Sequence, residues 1–597
     1  LNDDVLMDAS NLLISLDNQN NNYDQNKIKS SVLNDIHTGS VFRKAQEAIK
    51  RIHIDAELCP ILFFIDKTHT DVQGRLCLEQ IRFMLGIYNR ETRNNPNAWR
   101  TLGYIADQSF IKTKNSYEKN QDYHHMISVI LEDFISLQKE LIEWDFKCKD
   151  DSVKTKLLKL LVLFIMGDTD GHDKIAGRYT SRNGIQKPCR CCNIPFAQTD
   201  DPETGFVYNK HSLINFTCDN STAEKLQSLS IHGIDNAWKD VLFCDNDRGL
   251  YGALCPDILH CIKHGLFNYA LLALFDRKAA KKTTEEVDDD DVEFTKKNVF
   301  TEQYSKYFNE LAQKYGYLLS HQSDRELPRT NINTNYTTIT RKNAHEMSGL
   351  IIAILIVFTT DEGTNKLDET MSRLEAAKFI QLFELLLMLE HFCSTPEHKR
   401  CDVKQFKAFM PYLLNTYKDI LNRQTGCGCK FIKFHLPNHF ADDIYRFGSM
   451  INFDTEIGES HHKTEAKYPS NNTQRRKSEF EFQTATRQIE NLSVSKAAMY
   501  FASKDKSKLE SKNGDEEISI NKWYRYEFDP DNGLQQKTGK NKFQKCEWID
   551  TVFQKQLLDI CKTIYKNGCV DGKLKFFSQH NRCDYIFRAD PNYQEKQ

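Results

Sequence analysis

Residues 431–468 read FIKFHLPNHFADDIYRFGSMINFDTEIGESHHKTEAKY, and the predicted fold is organised around them. His435 and His439 stand four residues apart, about one helical turn, and Glu459 follows with His462 three residues later. A four-residue histidine spacing is usually accidental, and a single glutamate is usually solvated surface. The stretch therefore predicts a functional site only if distant segments supply further metal ligands and further acids.

Length and composition are those of an ordinary globular protein. The 597 residues suffice for several domains, since one domain takes about 100 to 200 residues. Hydrophobic residues make up 40% and charged residues 27%, and the net charge of −3 restricts any nucleic-acid surface to a local patch. The eighteen cysteines, without an apolar signal-like start, favour reduced thiols and metal sites. Residues 350–358, the longest apolar run, are too few to span a membrane.

From these features we expect a soluble intracellular protein without a membrane segment. The chain opens on Leu1 and not on Met, which predicts that an upstream segment is missing.

Two apolar runs each end in an aspartate. ILFFID ends in Asp66 and, with RLCLEQIRFML and AWRTLGYIA after it, predicts an antiparallel meander with Asp66 at a strand end. KLLKLLVLFIMGD predicts a second buried strand that ends in Asp168, and the run 122–146 between them predicts a long amphipathic helix.

A carboxylate just past a buried strand is costly unless it is solvated, paired or bound to a metal. Each acid alone is more often a turn cap. Asp66, Asp168 and Glu459 together are the set that Mg²⁺ or Mn²⁺ ions require for two-metal phosphoryl transfer.

A second set of metal ligands begins in KPCRCCNIP, where Cys189 and Cys192 have the CxxC spacing of a zinc knuckle. Alone they could equally be a redox pair or two core thiols. With His435 and His439 they would complete a tetrahedral Cys₂His₂ site, which would tie an insertion to the core. Cys191 could substitute for either cysteine.

The run CPDILHCIKHGLFNYALLALF predicts a helix with Asp257 and His260 three residues apart on one face. His264 lies one turn further on and, with Cys255 or Cys261, offers a rival metal cluster. Plain helix-face groups are the simpler interpretation of these residues.

Other segments are read from composition. Residues 277–297 predict a charged disordered loop and residues 504–517 a linker. Two apolar stretches, 344–359 and 372–392, predict core helices, and the last portion predicts a small domain of strands and a helix. The close pair Cys427 and Cys429 has no assignment.

Basic residues follow Glu459, and they suit a polyanionic partner because phosphate contacts supply most sequence-independent DNA affinity. A solvated charged turn is the alternative interpretation. The candidate DNA contacts are Arg475, Arg476 and Lys477, with His462 and Lys467 closer to Glu459.

Taken together, these motifs resemble the DDE transposases of the CACTA-Mirage-Chapaev type, closest to the Plavaka-like group. The resemblance runs from about residue 60 to the C-terminus. It is carried, in family order, by ILFFIDKTHTD, MGDTDGH before PCRCC, CPDILHCIKHGL, KFHLPNHFADDIYRFGS, DTEIGESHHKTEAKY and IFRADPNYQ. It implies an α/β RNase H-like core interrupted by a long, mainly α-helical insertion, and cut-and-paste DNA transposition.

The resemblance also implies roles for individual residues. Asp66, Asp168 and Glu459 match the family's catalytic acids, and Asp257 with His260 match its short Asp/Cys-x-x-His motif. Cys189, Cys192, His435 and His439 match zinc ligands that the related Transib elements and the V(D)J recombinase catalytic core also carry. Glu456 competes with Glu459, although the run IGESHH aligns Glu459 better.

The full expectation combines these interpretations. The predicted regions are an N-terminal region 1–55, core segments 56–180 and 431–502, a helical insertion with the zinc knuckle 181–430, and an α+β C-terminal part 503–597. We expect two Mg²⁺ or Mn²⁺ ions and one structural Zn²⁺, double-stranded DNA as partner, a homodimer or larger assembly, and a nuclear location. A domesticated, non-cleaving DNA-binding protein and a metal nuclease without strand transfer are the alternative functions.

Overall fold

The computed structural model contains two compact units, residues 1–467 and residues 468–597. The residues that the structure describes are 12–13, 32–70, 76–108, 113–147, 152–180, 185–202, 207, 223–275, 300, 302–320, 327–332, 335–338, 342–421, 428–476, 479–509, 523–529, 533–537, 543–545, 574–580 and 585–589. The predicted charged loop, residues 510–517 of the predicted linker, Lys477 and Cys427 lie outside the described residues. Residues 504–509 of that linker are instead the end of a long helix.

A five-stranded mixed sheet forms the core of the first unit, with the strand order β4-β3-β2-β6-β5. β2 and β6 pair in parallel, and the other neighbours pair antiparallel. The predicted meander is confirmed as β2–β4, and the predicted α/β class is confirmed with it. The strands of this unit are β1 Val32–Leu33, β2 Ala56–His69, β3 Cys77–Leu85, β4 Arg100–Ile105, β5 Ile142–Lys147, β6 Val153–Met166 and β7 His398–Lys399.

Many helices surround this sheet, and α7 and α17 among them are π-helical. The first half of the unit contains α1 Ser40–Ile52, α2 Arg90–Arg93, α3 Ser116–Lys139, α4 Thr169–Ile175, α5 Ala223–Ser228, α6 Gly249–Ala253, α7 Leu259–Phe267 and α8 Asn268–Leu274. The second half contains α9 Glu302–Ser320, α10 Ala344–Thr359, α11 Asp361–Leu367, α12 Arg373–Ser394, α13 Arg400–Leu421, α14 Ile432–His435, α15 Pro437–Phe447, α16 Thr455–Ser460 and α17 Lys463–Lys467.

The two central strands are buried because their sequences are apolar on both faces. On one face, Phe63 of β2 packs edge-on against Phe134 of α3 at 5.4 Å and against Trp238 at 5.5 Å between ring centroids. On the other face, Phe164 of β6 contacts Phe447 at 5.5 Å. The sheet is therefore covered on both sides, and polar groups reach solvent at its strand ends.

The long helix predicted over residues 122–146 lies earlier in the chain than expected, at Ser116–Lys139. α3 begins with a capping box between Asn115 and Glu118 and ends before Glu140, whose backbone is extended. The next residues form β5, which pairs with the start of β6 from Ile142 opposite Leu158. The alternating bulky residues of IEWDFK favour a strand once a partner strand is available.

The position predicted for Asp66 is also corrected. β2 continues past Asp66 to His69, since Asp66 pairs with Gln80 in the hairpin with β3. The parallel pairing of β2 with β6, however, ends at Phe64 opposite Met166. Asp66 and Asp168 therefore each lie two residues beyond the end of the parallel pair.

The predicted core helices are confirmed as α10 and α12, and both begin with capping boxes, at Asn343 with Glu346 and at Ser372 with Glu375. The helix predicted from CPDILHCIKHGL is present as the wider π-helical α7, which continues as α8. Among the described residues no single helix has the length and apolarity to cross a membrane, and one pair bent by 83°, α10 with α11, passes by length and composition alone.

The described residues of the second unit form two helices and a five-stranded antiparallel sheet with the order β10-β9-β8-β11-β12. The boundary predicted at residue 503 stays a prediction. The elements of this unit are α18 Tyr468–Asn471, α19 Phe480–Leu509, β8 Trp523–Asp529, β9 Gly533–Lys537, β10 Phe543–Lys545, β11 Leu574–His580 and β12 Tyr585–Ala589.

A buried ion pair fastens the N-terminal segment near the loop that leads to Glu459. The Asp35 carboxylate pairs with the guanidinium of Arg93, whose side chain is 3% exposed. Arg90 donates to the Asn34 carbonyl at 2.7 Å, and Asn452 donates to the same carbonyl at 2.9 Å. Burial alone would raise the pKa of Asp35, but the charge and hydrogen bond of Arg93 outweigh it and lower the pKa.

We expect Asp35→Asn to lower the free energy of unfolding by about 3–5 kcal/mol, because Arg93 would stay buried without its counter-charge. Since the folded-state pKa of Asp35 is lowered, its contribution is present above the unfolded pKa and is lost as the pH falls through the folded value. Denaturant unfolding followed by circular dichroism measures the loss. Asp235→Asn is the control, since its pair with Lys239 is exposed; equal losses in both variants would contradict the account.

Candidate functional site

Four buried side chains from two distant segments meet in the first unit. The Cys189 sulfur lies 3.4 Å from His439 Nε2, and the Cys192 sulfur lies 3.3 Å from His435 Nε2. The two Nε2 atoms are 3.2 Å apart. All four donor atoms lie within 4.8 Å of one another, and this is the one such group found among the described residues.

These distances can be tested against a tetrahedral metal site. A zinc ion about 2.3 Å from sulfur and about 2.0 Å from nitrogen holds two nitrogens about 3.3 Å apart, and a sulfur and a nitrogen about 3.5 Å apart. The observed separations of 3.2 Å and of 3.3 and 3.4 Å agree with those values. The four predicted ligands therefore fit a closed site for a structural metal such as zinc.

Cys191 lies outside this group, although its backbone N–H donates to the Cys189 sulfur at 3.3 Å. A separate side-chain hydrogen bond with Cys189, together with burial, raises the pKa of the Cys191 thiol well above its usual range. The rival cluster does not form such a group either. His264 lies 6.2 Å from the His260 ring, and burial raises the pKa of the thiols of Cys255 and Cys261.

The three predicted acids come together at the end of the parallel strand pair. Asp168 caps the N-terminus of α4 and accepts the Gly171 N–H at 2.5 Å. Asp66 Oδ2 lies 3.0 Å from His462 Nε2, which belongs to the segment just after α16. Glu459 lies on α16 and contacts His260 Nε2 at 3.4 Å.

His260 connects the acids to α7. Its Nδ1 lies 3.1 Å from Asp257 Oδ2, and the Thr455 hydroxyl donates to the same carboxylate. Burial alone would lower the pKa of His260, but Asp257 and Glu459 raise it to about 9. Burial would raise the pKa of Asp257, and His260 with Thr455 instead lowers it to about 2. The predicted Asp257–His260 pair is thus an ion pair that faces Glu459.

The acids repel one another at this site. Burial and then the charge of Asp66 raise the pKa of Asp168. Burial also raises the pKa of Glu459 to about 7, where the neighbouring His260 opposes the rise and Asp66 adds to it. Carboxylate oxygens are the donors that Mg²⁺ and Mn²⁺ prefer, and a divalent cation would relieve this repulsion. The donor type therefore suits such an ion, although the oxygens of the three carboxylates do not all lie within 4.8 Å of one another.

Family comparison bears on the first half of this site. Residues 17–273 match the model of the Plavaka transposase family. Over these residues the chain is similar to Plavaka transposases. Asp66, Asp168, the two cysteines of the metal group and the Asp257–His260 pair lie inside the Plavaka match. Glu459 and both histidines of the metal group lie beyond it. A comparison with curated proteins finds no match for the chain.

The match to the Plavaka transposase family points to an enzyme that acts on DNA. The finer relation to Transib elements and the V(D)J recombinase stays a prediction. For the later part of the chain, which the family match does not reach, the assignment of acids depends on the contacts of α16.

Those contacts distinguish Glu459 from its competitor Glu456. Glu456 is bound to Lys263 at 3.2 Å and to His345 at 2.7 Å. Glu459, one turn later, is the acid of this helix that contacts His260, at Nε2. The arrangement agrees with the choice of Glu459.

Gly458 explains how α16 approaches the sheet so closely. A Cβ atom at this position would come within 2.4–2.7 Å of three ring atoms of Phe64 on β2. Any side chain would therefore push the helix away from Asp66. The glycine of the EIGES motif is required by this packing.

The predicted DNA contacts differ in accessibility. Arg475 and Arg476, in the second unit, are exposed, and Arg475 donates to the Asn471 side chain at 2.8 Å. Lys467, in the first unit, is also exposed. His462, in contrast, is 5% exposed and packs against Phe64, which places it beside Asp66 and away from the surface.

Sequence reasoning missed Thr455 and Lys263. Thr455 is in the quoted motif DTEIGES, where its position as the first residue of a helix could have suggested a polar contact. Lys263 follows His260 by three residues and gave no local signal, since its partners lie far away in the sequence.

Proposed function

We propose that this protein is a DNA transposase that cuts phosphodiester bonds at transposon ends and joins the freed 3′-OH to target DNA. The observation that carries the proposal is the meeting of Asp66, Asp168 and Glu459 around His260. These acids come from three distant segments, and two of them lie inside the family match. A purely structural protein has no need to bring three mutually repelling carboxylates together.

An RNase H-like arrangement of the core is part of this proposal. Its support is the three-stranded meander followed by a strand parallel to its first member, with Asp66 and Asp168 just beyond the parallel pair. Phe243 and Leu254 also form isolated parallel bridges with Val162 and Ile165 of β6. These bridges lie where a further parallel strand would pair with β6. Ligand sites at the carboxyl ends of parallel strands are common in α/β proteins.

Asp66, Asp168 and Glu459 would hold two Mg²⁺ or Mn²⁺ ions, which would activate the attacking oxygen and stabilise the leaving one. His462 holds Asp66 and Asp168 holds the first turn of α4, so both aspartates are oriented before any ion binds. In this proposal the Asp257–His260 pair orients Glu459 through His260 Nε2, and His260 would also contact the scissile phosphate.

The Cys₂His₂ group is proposed to hold one structural zinc ion. All four positions of a tetrahedral ion would be filled by protein, so no water could act as a nucleophile there. The group ties the segment 189–192 to α14 and α15, and through them to the chain that leads to Glu459.

The partner in this proposal is double-stranded DNA, both as transposon ends and as target. Coordinated joining of two ends requires a dimer or larger assembly, and access to chromosomes requires a nuclear location. Both belong to the proposal.

The exposed arginines Arg475 and Arg476 provide a test of DNA binding. We expect the double alanine variant to bind DNA more weakly for every sequence and to reduce the salt slope by about one unit per lost phosphate contact. Fluorescence anisotropy across a salt series measures the slope. The exposed Lys366 supplies the control variant Lys366→Ala. An unchanged slope in the double variant would mean that the two arginines do not contact DNA.

A joining assay tests the proposed function. Purified protein is incubated with a pre-cut transposon-end duplex, a supercoiled plasmid and Mg²⁺, and the plasmid junctions are sequenced. A transposase produces covalent junctions at the 3′ end of the duplex. Nicked plasmid without junctions would indicate the nuclease, and tight binding without either product would indicate the domesticated DNA-binding protein.

A further inference from the structure

Lys263 occupies a buried position behind the proposed active site. It lies on α7 with a side chain that is 7% exposed, and its ammonium lies 3.2 Å from Glu456 and 3.6 Å from Glu390. A buried ammonium is costly unless carboxylates surround it, as they do here. The ion pairs of Lys263 are with Glu456 and Glu390 and not with the three proposed metal ligands, so the proposed chemistry does not by itself explain why a lysine is buried here.

The network extends to two further helices. The free oxygen of Glu456 lies 2.7 Å from His345 on α10, and the Ser348 hydroxyl of the same helix donates to Glu390 at 2.6 Å. Glu390 belongs to α12. Four helices, α7, α10, α12 and α16, are therefore connected through one ammonium group and two carboxylates.

Two contacts of the same spacing hold α16 against α7. His260 contacts Glu459, and Lys263, three residues later, contacts Glu456, three residues earlier. The two helices thus run in opposite directions along a ladder with two polar rungs. One rung includes the proposed catalytic glutamate, and the other includes the buried lysine.

α16 needs such external support. It has six residues, and an isolated helix of that length is not stable in water. Its other fixed points are the Thr455 hydroxyl on Asp257 and the contact of Gly458 with Phe64. Without the Lys263 ammonium, Glu390 would lose its buried counter-charge, and Glu456 would keep only its contact with the exposed His345. The repulsion between the two carboxylates would then turn or displace α16.

We propose that Lys263 is a positioning residue for Glu459, because its ammonium fixes Glu456 and with it the turn of α16 that presents Glu459 to Asp66 and Asp168. The inference rests on the proposed function, since it takes Glu459 as a ligand of the divalent ions. It also assigns a function to the helices α10 and α12. They supply His345 and Glu390, which hold Glu456 and Lys263 in place.

Binding of Mn²⁺ tests the proposal without DNA chemistry. Outer contacts that orient metal ligands are worth roughly 10–100-fold in metal affinity. We expect Lys263→Met to weaken Mn²⁺ binding by that factor, measured by electron paramagnetic resonance on the full-length protein. Zinc content and DNA affinity should stay within about twofold of wild type, a range far below the change in metal affinity. The control is Lys314→Met, which breaks an exposed pair with Glu362 and should leave Mn²⁺ binding unchanged.

A second variant keeps the test decisive if Lys263→Met folds poorly. Glu456 is 32% exposed at its side chain, so Glu456→Gln is well tolerated sterically and should reproduce the loss of Mn²⁺ affinity. The double variant should be no worse than either single one, because both remove the same rung. Wild-type Mn²⁺ affinity in Glu456→Gln, or a double variant whose losses multiply, would overturn the proposal.

The two proposals fail in different ways. Wild-type protein that binds Mn²⁺ at the acids but never joins DNA would contradict the transposase and leave the Lys263 measurement valid. Joining by wild type together with normal Mn²⁺ affinity in Glu456→Gln would support the transposase and contradict the role of Lys263.

Discussion

Asp66→Asn and Asp168→Asn are each expected to reduce DNA joining by roughly 10³-fold or more, comparable with the loss of a group that stabilises a transition state directly. Each amide keeps the size of the side chain and removes the negative charge that a divalent cation requires. Binding to end DNA should stay nearly intact, because neither aspartate is a cation that contacts phosphate. Single-turnover joining and anisotropy titrations separate the two effects.

Asp170→Asn is the matched control for these variants. Asp170 lies two residues after Asp168, in the first turn of α4, and is exposed. Its loss should leave joining within a few-fold of wild type. Equal defects in Asp170→Asn and Asp168→Asn would mean that general charge near α4, and not a specific metal ligand, supports the reaction.

The second large effect concerns the Cys₂His₂ group. Purified protein is expected to carry one tightly held zinc per chain, because thiolate and imidazole donors favour zinc. Cys189→Ser and His439→Ala should lose this zinc and unfold far more easily, since binding energy at such sites is on the order of 10 kcal/mol and is gained only in the folded state. Added Mg²⁺ should not rescue either variant.

Elemental analysis and thermal melting measure this prediction. Cys191→Ser is the matched control, since it changes the neighbouring thiol and leaves the four donors in place. It should keep its zinc. Zinc near zero in the wild type, or full zinc content after Cys189→Ser and His439→Ala together, would refute the link between the two segments.

Several parts of the site were predictable because the local sequence carries their signal. The apolar runs before Asp66 and Asp168 indicate buried strands, and a carboxylate directly after such a run needs a compensating partner. The CxxC pair and the two histidines are the residue types that bind zinc in Cys₂His₂ sites, so the sequence already indicates a metal site. For these residues the structure brings together what the sequence paired.

The remaining parts depend on packing between distant segments. The extension of β2 beyond Asp66 follows from the hairpin with β3, and β5 forms because the start of β6 offers an open edge. The amphipathic pattern of residues 122–146 predicted a helix through β5 because it contains no information about that edge. Lys263 and Thr455 matter only because α7 lies against α16, and nothing within either segment fixes that arrangement.

Glu459 is the part of the account that stands most on geometry, since it lies beyond the family match and competes with Glu456 one turn away. The most direct test is single-turnover joining of a pre-cut transposon end by wild type, Glu459→Gln and Glu456→Gln in parallel under saturating Mg²⁺. The account predicts that wild type joins the end, that Glu459→Gln binds the end but does not join it, and that Glu456→Gln joins it at a reduced rate. Joining by Glu459→Gln at the wild-type rate, or its loss only in Glu456→Gln, would contradict the proposed active site.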